Sequence, residues 1–267
     1  KNKLNIVKEI IFPDHYKYPN RTINDVQAET RHIMNYTTTH RQLVLSANYH
    51  EGALIFSYPY DGASHNISGI SGTANDAPDS YLYFCKKYTQ YMNSPLDTGN
   101  SYPSNQEFGS INGAEWYTIF GGMQDWEYVT NDMMSITIET AKPKNALANT
   151  LSDLRKRHLT TNDSAVLDGG GMLKFFEQAY QGIHGHVYDI NNLAIDSAVI
   201  QLYRTSGLIY GRIVKSKEKG DFYKMAPPGT YTINISKSGY TTYTTTITIK
   251  DIYEDISKVT TLNVTLT

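Results

Sequence analysis

LVLSANYHEGALIFSYPYDG, residues 43–62, carries two apolar runs, the first finishing on His50 and the second on Asp61. Both have the length of buried strands, and on either side of them the pattern turns helical. A polar-to-apolar segment covers about 26–36, and an amphipathic stretch over 79–92 opens on Asp79-Ser80 as a cap. Another strand pattern, MSITIET, lies at 134–140. Asp168 and three glycines then lead into MLKFFEQAY, where Met172, Phe175, Phe176, Ala179 and Tyr180 fall on one helical face. Alternation of this kind predicts an α/β unit. Ligands of open α/β sheets bind beyond strand ends, so His50 and Glu139, each near the end of a strand pattern, are candidate site residues as well as candidate packing residues.

After Gly182 the period changes to two and stays there: GIHGHVYDI, SAVIQLYR, DFYKM, TYTINIS, TTTITI and TLNVTL. Turn residues punctuate these runs at Asn191-Asn192, Pro227-Pro228-Gly229 and Ser238-Gly239. The chain of 267 residues therefore divides into an α/β domain over 1–182 and a small β-sandwich over 183–267. Between the helix at 79–92 and MSITIET, the Gly- and aromatic-rich NGAEWYTIFGGMQDWEY reads as a mobile loop carrying large side chains.

Charged residues are 19% of the chain and the net charge is -2, so there is no basic surface to draw in nucleic acid or an anionic membrane. No run reaches the roughly 18 apolar residues of a membrane span. Cys85 is the single cysteine, which excludes an internal disulfide, and its place in the 79–92 pattern makes it a buried thiol. Asn20, Asn35, Asn66, Asn162, Asn234 and Asn263 each begin an Asn-x-Ser/Thr sequon, compatible with a secreted glycoprotein. Arg155-Lys156-Arg157-His158 reads as a solvated helix face, and His184 and His186 alternate onto one strand face, a spacing compatible with metal binding.

Four segments, in order and spacing, resemble the zinc metallocarboxypeptidases of the N/E (regulatory) subfamily: AETRHIM at 28–34, LSANYHEGALIFSYPYDG at 45–62, INGAEWYTIFGGMQDWEY at 111–128 and SITIET at 135–140. The tail, with GIHGHVYD at 182–189 and APPGTYTINISKSGYTT at 226–242, resembles the transthyretin-like domain that follows the catalytic domain there. The resemblance implies a partial mixed-sheet carboxypeptidase domain (phosphorylase/hydrolase-like), its C-terminal part, followed by an all-β transthyretin-like sandwich. It further implies that His50 is a zinc ligand and that Glu139 is the general base acting on zinc-polarised water. Tyr117 matches the tyrosine that closes over the substrate's terminal residue. Asp61 and Gln124 match the positions that line the pocket for that residue's side chain in members removing C-terminal Arg or Lys. The implied partners are peptide or protein C-termini.

The same comparison marks departures. No His-x-x-Glu, the pattern that supplies the family's other two zinc ligands, occurs in the sequence; Glu29 and His32 show only the reversed spacing. Glu9-Ile10-Ile11 precede Phe12 where an arginine that captures the substrate carboxylate is expected, so the first eleven residues look atypical and the start looks processed, truncated or incomplete. Two readings stay open at this point: part of a carboxypeptidase completed by an N-terminal half chain, and a non-catalytic homologue that binds peptides or proteins. A partial sheet leaves a strand edge and apolar faces uncovered. The purified chain is accordingly expected to self-associate or aggregate, and a monomer that unfolds cooperatively in sedimentation and calorimetry contradicts this.

Overall fold

Residues 43–140 build a mixed sheet because their strand-period segments are apolar enough to be covered on at least one face and short enough to end near one another. The computed structural model describes residues 26–61, 78–92, 109–117, 119, 121–131, 133–141, 151–160, 170–253 and 256–267. The chain divides into two units, Lys1–Phe176 and Glu177–Thr267. The atypical start, Phe12, three sequons (Asn20, Asn66, Asn162) and Asp168 lie outside the described residues.

In the first unit the described elements are α1 (Ala28–Thr39), β1 (Leu45–His50), β2 (Ile55–Tyr58), α2 (Pro78–Gln90), β3 (Ser110–Asn112), α3 (Gly113–Trp116), α4 (Met123–Asn131), β4 (Met134–Glu139), α5 (Leu151–Leu159) and α6 (Gly170–Glu177). The sheet order is β1-β4-β2-β3. β4 runs parallel to β1 and antiparallel to β2, and β2 runs parallel to β3. β2 and β4, flanked on both sides, are nearly all buried, while β1 alternates between half-buried and exposed residues as an edge strand does among the described residues.

Tyr81, Phe84, Cys85 and Tyr88 bury from α2 as the period predicts, and Met92 buries just beyond its end. Their rings interlock with the sheet: Phe56 meets Tyr88 edge-on at 4.7 Å and Tyr58 stacks on Tyr81 at 5.4 Å. Each such ring removed from water contributes about 1.5–3 kcal/mol. α2 begins at Pro78, whose missing N–H costs nothing in a first turn, so Asp79 lies inside the helix rather than capping it.

Two other expectations are corrected. NGAEWYTIFGGMQDWEY is largely ordered as β3, α3 and α4, because Asn112 caps α3 by accepting from Glu115 N at 3.3 Å and α4 buries Gln124, Asp125, Glu127 and Tyr128. The continuous apolar helix face over 172–180 does not form. α6 stops at Glu177 and tightens into a 3-10 turn over Gln178–Tyr180, which leaves Phe176 and Tyr180 exposed while Phe175 is buried.

The second unit contains β5 (Gly182–Tyr188), β6 (Val199–Arg204), β7 (Ile209–Lys215), β8 (Asp221–Met225), β9 (Gly229–Ser236), β10 (Tyr243–Ile249), β11 (Thr260–Thr261) and β12 (Val264–Thr265). One sheet has the order β10-β9-β6-β7, all antiparallel. In the other, β5 pairs with β8 on one side and with β11 and β12 in succession on the other. The break at Leu262-Asn263 passes directly over Gly185, where a Cβ would fall 1.7 Å from the Leu262 carbonyl oxygen, and Asn263 Oδ1 accepts from His186 N at 3.0 Å. β7 carries no clean alternation in sequence, since Gly211 is buried and the ladder shifts register beside it.

Gln181 is fully buried in this unit, and its side chain answers three backbone groups. It donates to the carbonyls of Ala226 (3.2 Å) and Lys250 (3.0 Å) and accepts from Ile252 N (3.2 Å). Replacing Gln181 by Leu strands all three and is expected to destabilise the unit by about 2–4 kcal/mol. Urea denaturation of the full chain followed by circular dichroism measures this; a loss below about 0.5 kcal/mol means the three groups find water instead.

Candidate functional site

β1 and β4 are parallel and in register from Leu45 opposite Met134 to His50 opposite Glu139. The two-residue period then places Ser46, Asn48 and His50 on the same face as Ser135, Thr137 and Glu139. At the start of the pair, Ser135 Oγ donates to Glu127 Oε2 at 2.7 Å; Ser46 Oγ contacts the same oxygen and lies 2.8 Å from Ser135 Oγ. At its end, Thr140 donates to the His50 carbonyl through its amide (2.8 Å) and its hydroxyl (3.0 Å). These contacts hold His50 Nδ1 3.2 Å from each Glu139 carboxylate oxygen and 2.9 Å from the Glu51 carbonyl. The imidazole is 58% exposed and the carboxylate only 4%. A buried carboxylate thus faces an accessible ring at the open end of two strands.

Asp61 sits beyond β2 with its carboxyl enclosed. Gln124 Nε2 donates to Oδ1 at 2.6 Å, Ser57 Oγ lies 3.5 Å away, and the Asp61 amide donates to both oxygens of buried Asp125 at 3.0 and 3.1 Å. Backbone closes the rest: a Cβ on Gly113 would lie 1.6 Å from Asp61 Oδ1, and one on Gly122 would lie 3.2 Å from Oδ2. Burial pushes the Asp61 carboxyl up to about 7, while the hydrogen bonds from Ser57 and Gln124 pull it back. Gln124 Oε1 is buried beside this carboxyl without a hydrogen-bond partner.

Tyr117 follows α3, half exposed, with its ring edge-on to Trp116 at 4.7 Å. Its phenol is held above the ordinary value by burial first, then by the charges of Glu139 and Asp61. The structure therefore joins His50 with Glu139 and Asp61 with Gln124, and places Tyr117 within the field of both carboxylates.

Sequence reading passed over Asp125, Glu127, Ser57 and the two glycines. Gln124, Asp125 and Glu127 on α4 are all buried. The available signal was the pair of serines at equivalent positions of two strand patterns, Ser46 and Ser135, which need a shared acceptor.

A catalytic zinc takes three protein ligands, and among the described residues no group of three His, Cys, Asp or Glu side chains could hold a metal ion. The described residues do not by themselves fit zinc, so His50 stands as one donor. Glu29 and His32 are both exposed on α1, and His184 and His186 share a face of β5 with rings against Tyr223 and Tyr188.

The zinc carboxypeptidase family profile matches residues 8–161, and a PEGA domain profile matches 223–266. The chain is 32% identical over 242 residues to the carboxypeptidase N catalytic chain of Mus musculus, covering 88% of this chain and 49% of that one. It is 32% identical to the Homo sapiens carboxypeptidase N catalytic chain, covering 88% and 48%, and 30% identical to Homo sapiens carboxypeptidase D, covering 90% and 16%. It spans about half the length of the carboxypeptidase N chains it matches. The chain belongs to the zinc carboxypeptidase family, with carboxypeptidases N, D and M among its homologues.

The Asp61 carboxyl gives a pH dependence of definite sign. Its folded value, about 7, lies above the ordinary 3.8. The stability it contributes is complete below the ordinary value and is lost as pH rises through about 7, at up to about 1.4 kcal/mol per pH unit. Thermal unfolding of Asp61→Asn at pH 5 and pH 8 should show a smaller difference between the two pH values than the unsubstituted chain. An equal difference assigns the dependence to other groups.

Proposed function

We propose that this chain carries the acid–base and side-chain-selecting parts of a zinc carboxypeptidase that removes C-terminal Arg or Lys from peptides and proteins. The observation that carries the basic preference is the buried, unpartnered Gln124 Oε1 beside the enclosed Asp61 carboxyl. Guanidinium and ammonium groups bring several N–H donors and no acceptor, so an acid flanked by a free acceptor suits them and disfavours apolar or acidic termini. Arrival of a cation favours ionised Asp61, so binding strengthens as pH rises through about 7.

In this reading Glu139 takes a proton from water and returns it to the leaving amine, since it is the buried carboxylate at the open strand end. His50, accessible and backed by that carboxylate, is a ligand for the family's zinc, which supplies Lewis-acid polarisation when bound. Two further ligands come from a segment bearing His-x-x-Glu, supplied by a partner chain or by more of the same polypeptide. Tyr117, half exposed and under the influence of both carboxylates, closes over the terminal residue.

Secretion fits the sequons, of which Asn35 stands exposed on α1; among the described residues no helix is long and apolar enough to cross a membrane. The β-rich unit is read as transthyretin-like, a supporting domain rather than a part of the site.

Together with a segment supplying His-x-x-Glu, the chain should bind zinc and release C-terminal Arg and Lys. Glu139→Gln should then lower kcat by about a hundredfold or more while zinc content stays within about twofold. Absence of both zinc and turnover in every such combination, with peptide binding retained, would instead establish a non-catalytic peptide-binding homologue.

A further inference from the structure

Asp125 stands in the first turn of α4, where an acidic side chain ordinarily reaches solvent beside the helix amides, and yet it is fully buried. Both of its oxygens accept from an amide outside the helix, that of Asp61, at 3.0 and 3.1 Å. Enclosing a carboxylate is costly unless donors meet it, and an apolar residue of similar size would fill the space without that cost. What the carboxylate adds is a grip on one stretch of backbone.

That stretch is held from a second side. The Ile119 amide donates to the Asp61 carbonyl at 3.1 Å, and the Ala114 amide donates to the preceding carbonyl, that of Tyr60, at 2.9 Å. Tyr117 lies between these two donors, so the segment that carries it rests at both ends on the Tyr60-Asp61 backbone. Gln124, the neighbour of Asp125 on α4, holds the Asp61 side chain at 2.6 Å. Consecutive residues of one helix thus fix the backbone and the carboxyl of the same aspartate.

The margin for error is small. An aspartate side chain turns about only two torsions, so holding the amide and the carbonyl of Asp61 settles where its carboxyl can go. A displacement of about 1 Å would take Oδ1 out of hydrogen-bond reach of Gln124, and Gly113 leaves no room for a Cβ on the other side.

We propose that Asp125 is a positioning residue for substrate selection, holding the Asp61 backbone so that the carboxyl stays aligned with Gln124 and the Tyr117 segment stays docked beside it. The proposal rests on the reading of Asp61 as the residue that selects C-terminal Arg or Lys. It gives the buried acid of α4 a task apart from the stability of its helix.

Two variants of the full chain separate the two roles. Asp125→Asn keeps the volume and offers one carbonyl oxygen in place of two; Asp125→Ala offers none. Hydrogen exchange read by NMR should show the Asp61 amide exchanging about tenfold faster in Asp125→Asn and faster again in Asp125→Ala, with Ile119 following in the same order. The reference in each sample is the Trp126 amide, which donates to the Gly122 carbonyl at the start of α4. A residue that only stabilises α4 speeds Trp126 as much as Asp61.

In a preparation that hydrolyses C-terminal residues, the preference for a peptide ending in Arg over one ending in Leu, read as the ratio of their kcat/KM values, should fall about tenfold in Asp125→Asn, mostly through KM. In an Asp61→Ala background the same substitution should change that preference by less than about twofold, because it acts through the Asp61 carboxyl. An unchanged Asp61 rate, equal acceleration of Asp61 and Trp126, loss of folding in Asp125→Asn, or an unaltered preference in an active preparation overturns the proposal. Absence of hydrolysis in the unsubstituted protein counts against the proposed function alone, because the exchange readout does not depend on it.

Discussion

The register of one parallel strand pair governs the arrangement of this site. A slip of one residue between β1 and β4 would still pair Leu45–His50 with β4, but it would send every β1 side chain to the opposite face relative to its neighbour. His50 would then lose Glu139. What resists the slip is polar. Glu127 is a buried carboxylate whose oxygen is met by Ser46 and Ser135 together, and no other register brings both hydroxyls to it. Leaving such a carboxylate without donors costs more than the small differences between alternative apolar packings of two strands. Thr140 fixes the other end through two bonds to a single carbonyl.

Asp61 and Gln124 obey a different constraint, close approach of backbone. Asp61 is held by a side chain from α4, but its carboxyl fits as placed only because Gly113 presents no Cβ, with Gly122 in tight approach to the other oxygen. This makes the two halves of the site mechanically distinct, one set by strand register and the other by glycine and helix packing. They meet at β4, where Glu139 stands opposite His50 on one side and Ile55, at the start of the strand leading to Asp61, on the other. The central strand is therefore the common reference for both.

Much of this could be read in the residues. Apolar runs located β1 and β2, the MSITIET pattern located β4, period two located most strands of the second unit, and helical period located the buried face of α2. The order of the quoted segments identified the family, and His50, Glu139, Asp61 and Gln124 come together in two pairs. What escaped was polar burial. Asp125, Glu127, His158 and Gln181 carry residue types that composition assigns to the surface, and each lies inside with a hydrogen-bond partner distant in sequence. Phe176 and Tyr180 failed in the opposite sense, since the helix meant to carry them inward tightens at Gln178. Periodicity reports which face is apolar; it does not report where a buried hydroxyl, carboxylate or amide finds its complement.

That distinction also explains why the two units differ in how much their sequences disclose. In the second, the core residues Ile233 and Ile235 alternate with half-buried polar neighbours on β9, and buried polar side chains such as Gln181, Gln201 and Ser216 serve backbone groups rather than chemistry. In the first, buried polar side chains are concentrated around strand ends, at 57, 61, 124, 125, 127, 135 and 139. A stability argument alone would replace many of them by apolar residues of similar volume, because paired buried charges rarely gain more than they cost in desolvation. Their concentration on one side of a single sheet, with a carboxylate facing an accessible imidazole and an amide oxygen left unanswered beside an acid, is what the proposed site requires and what closing a core does not.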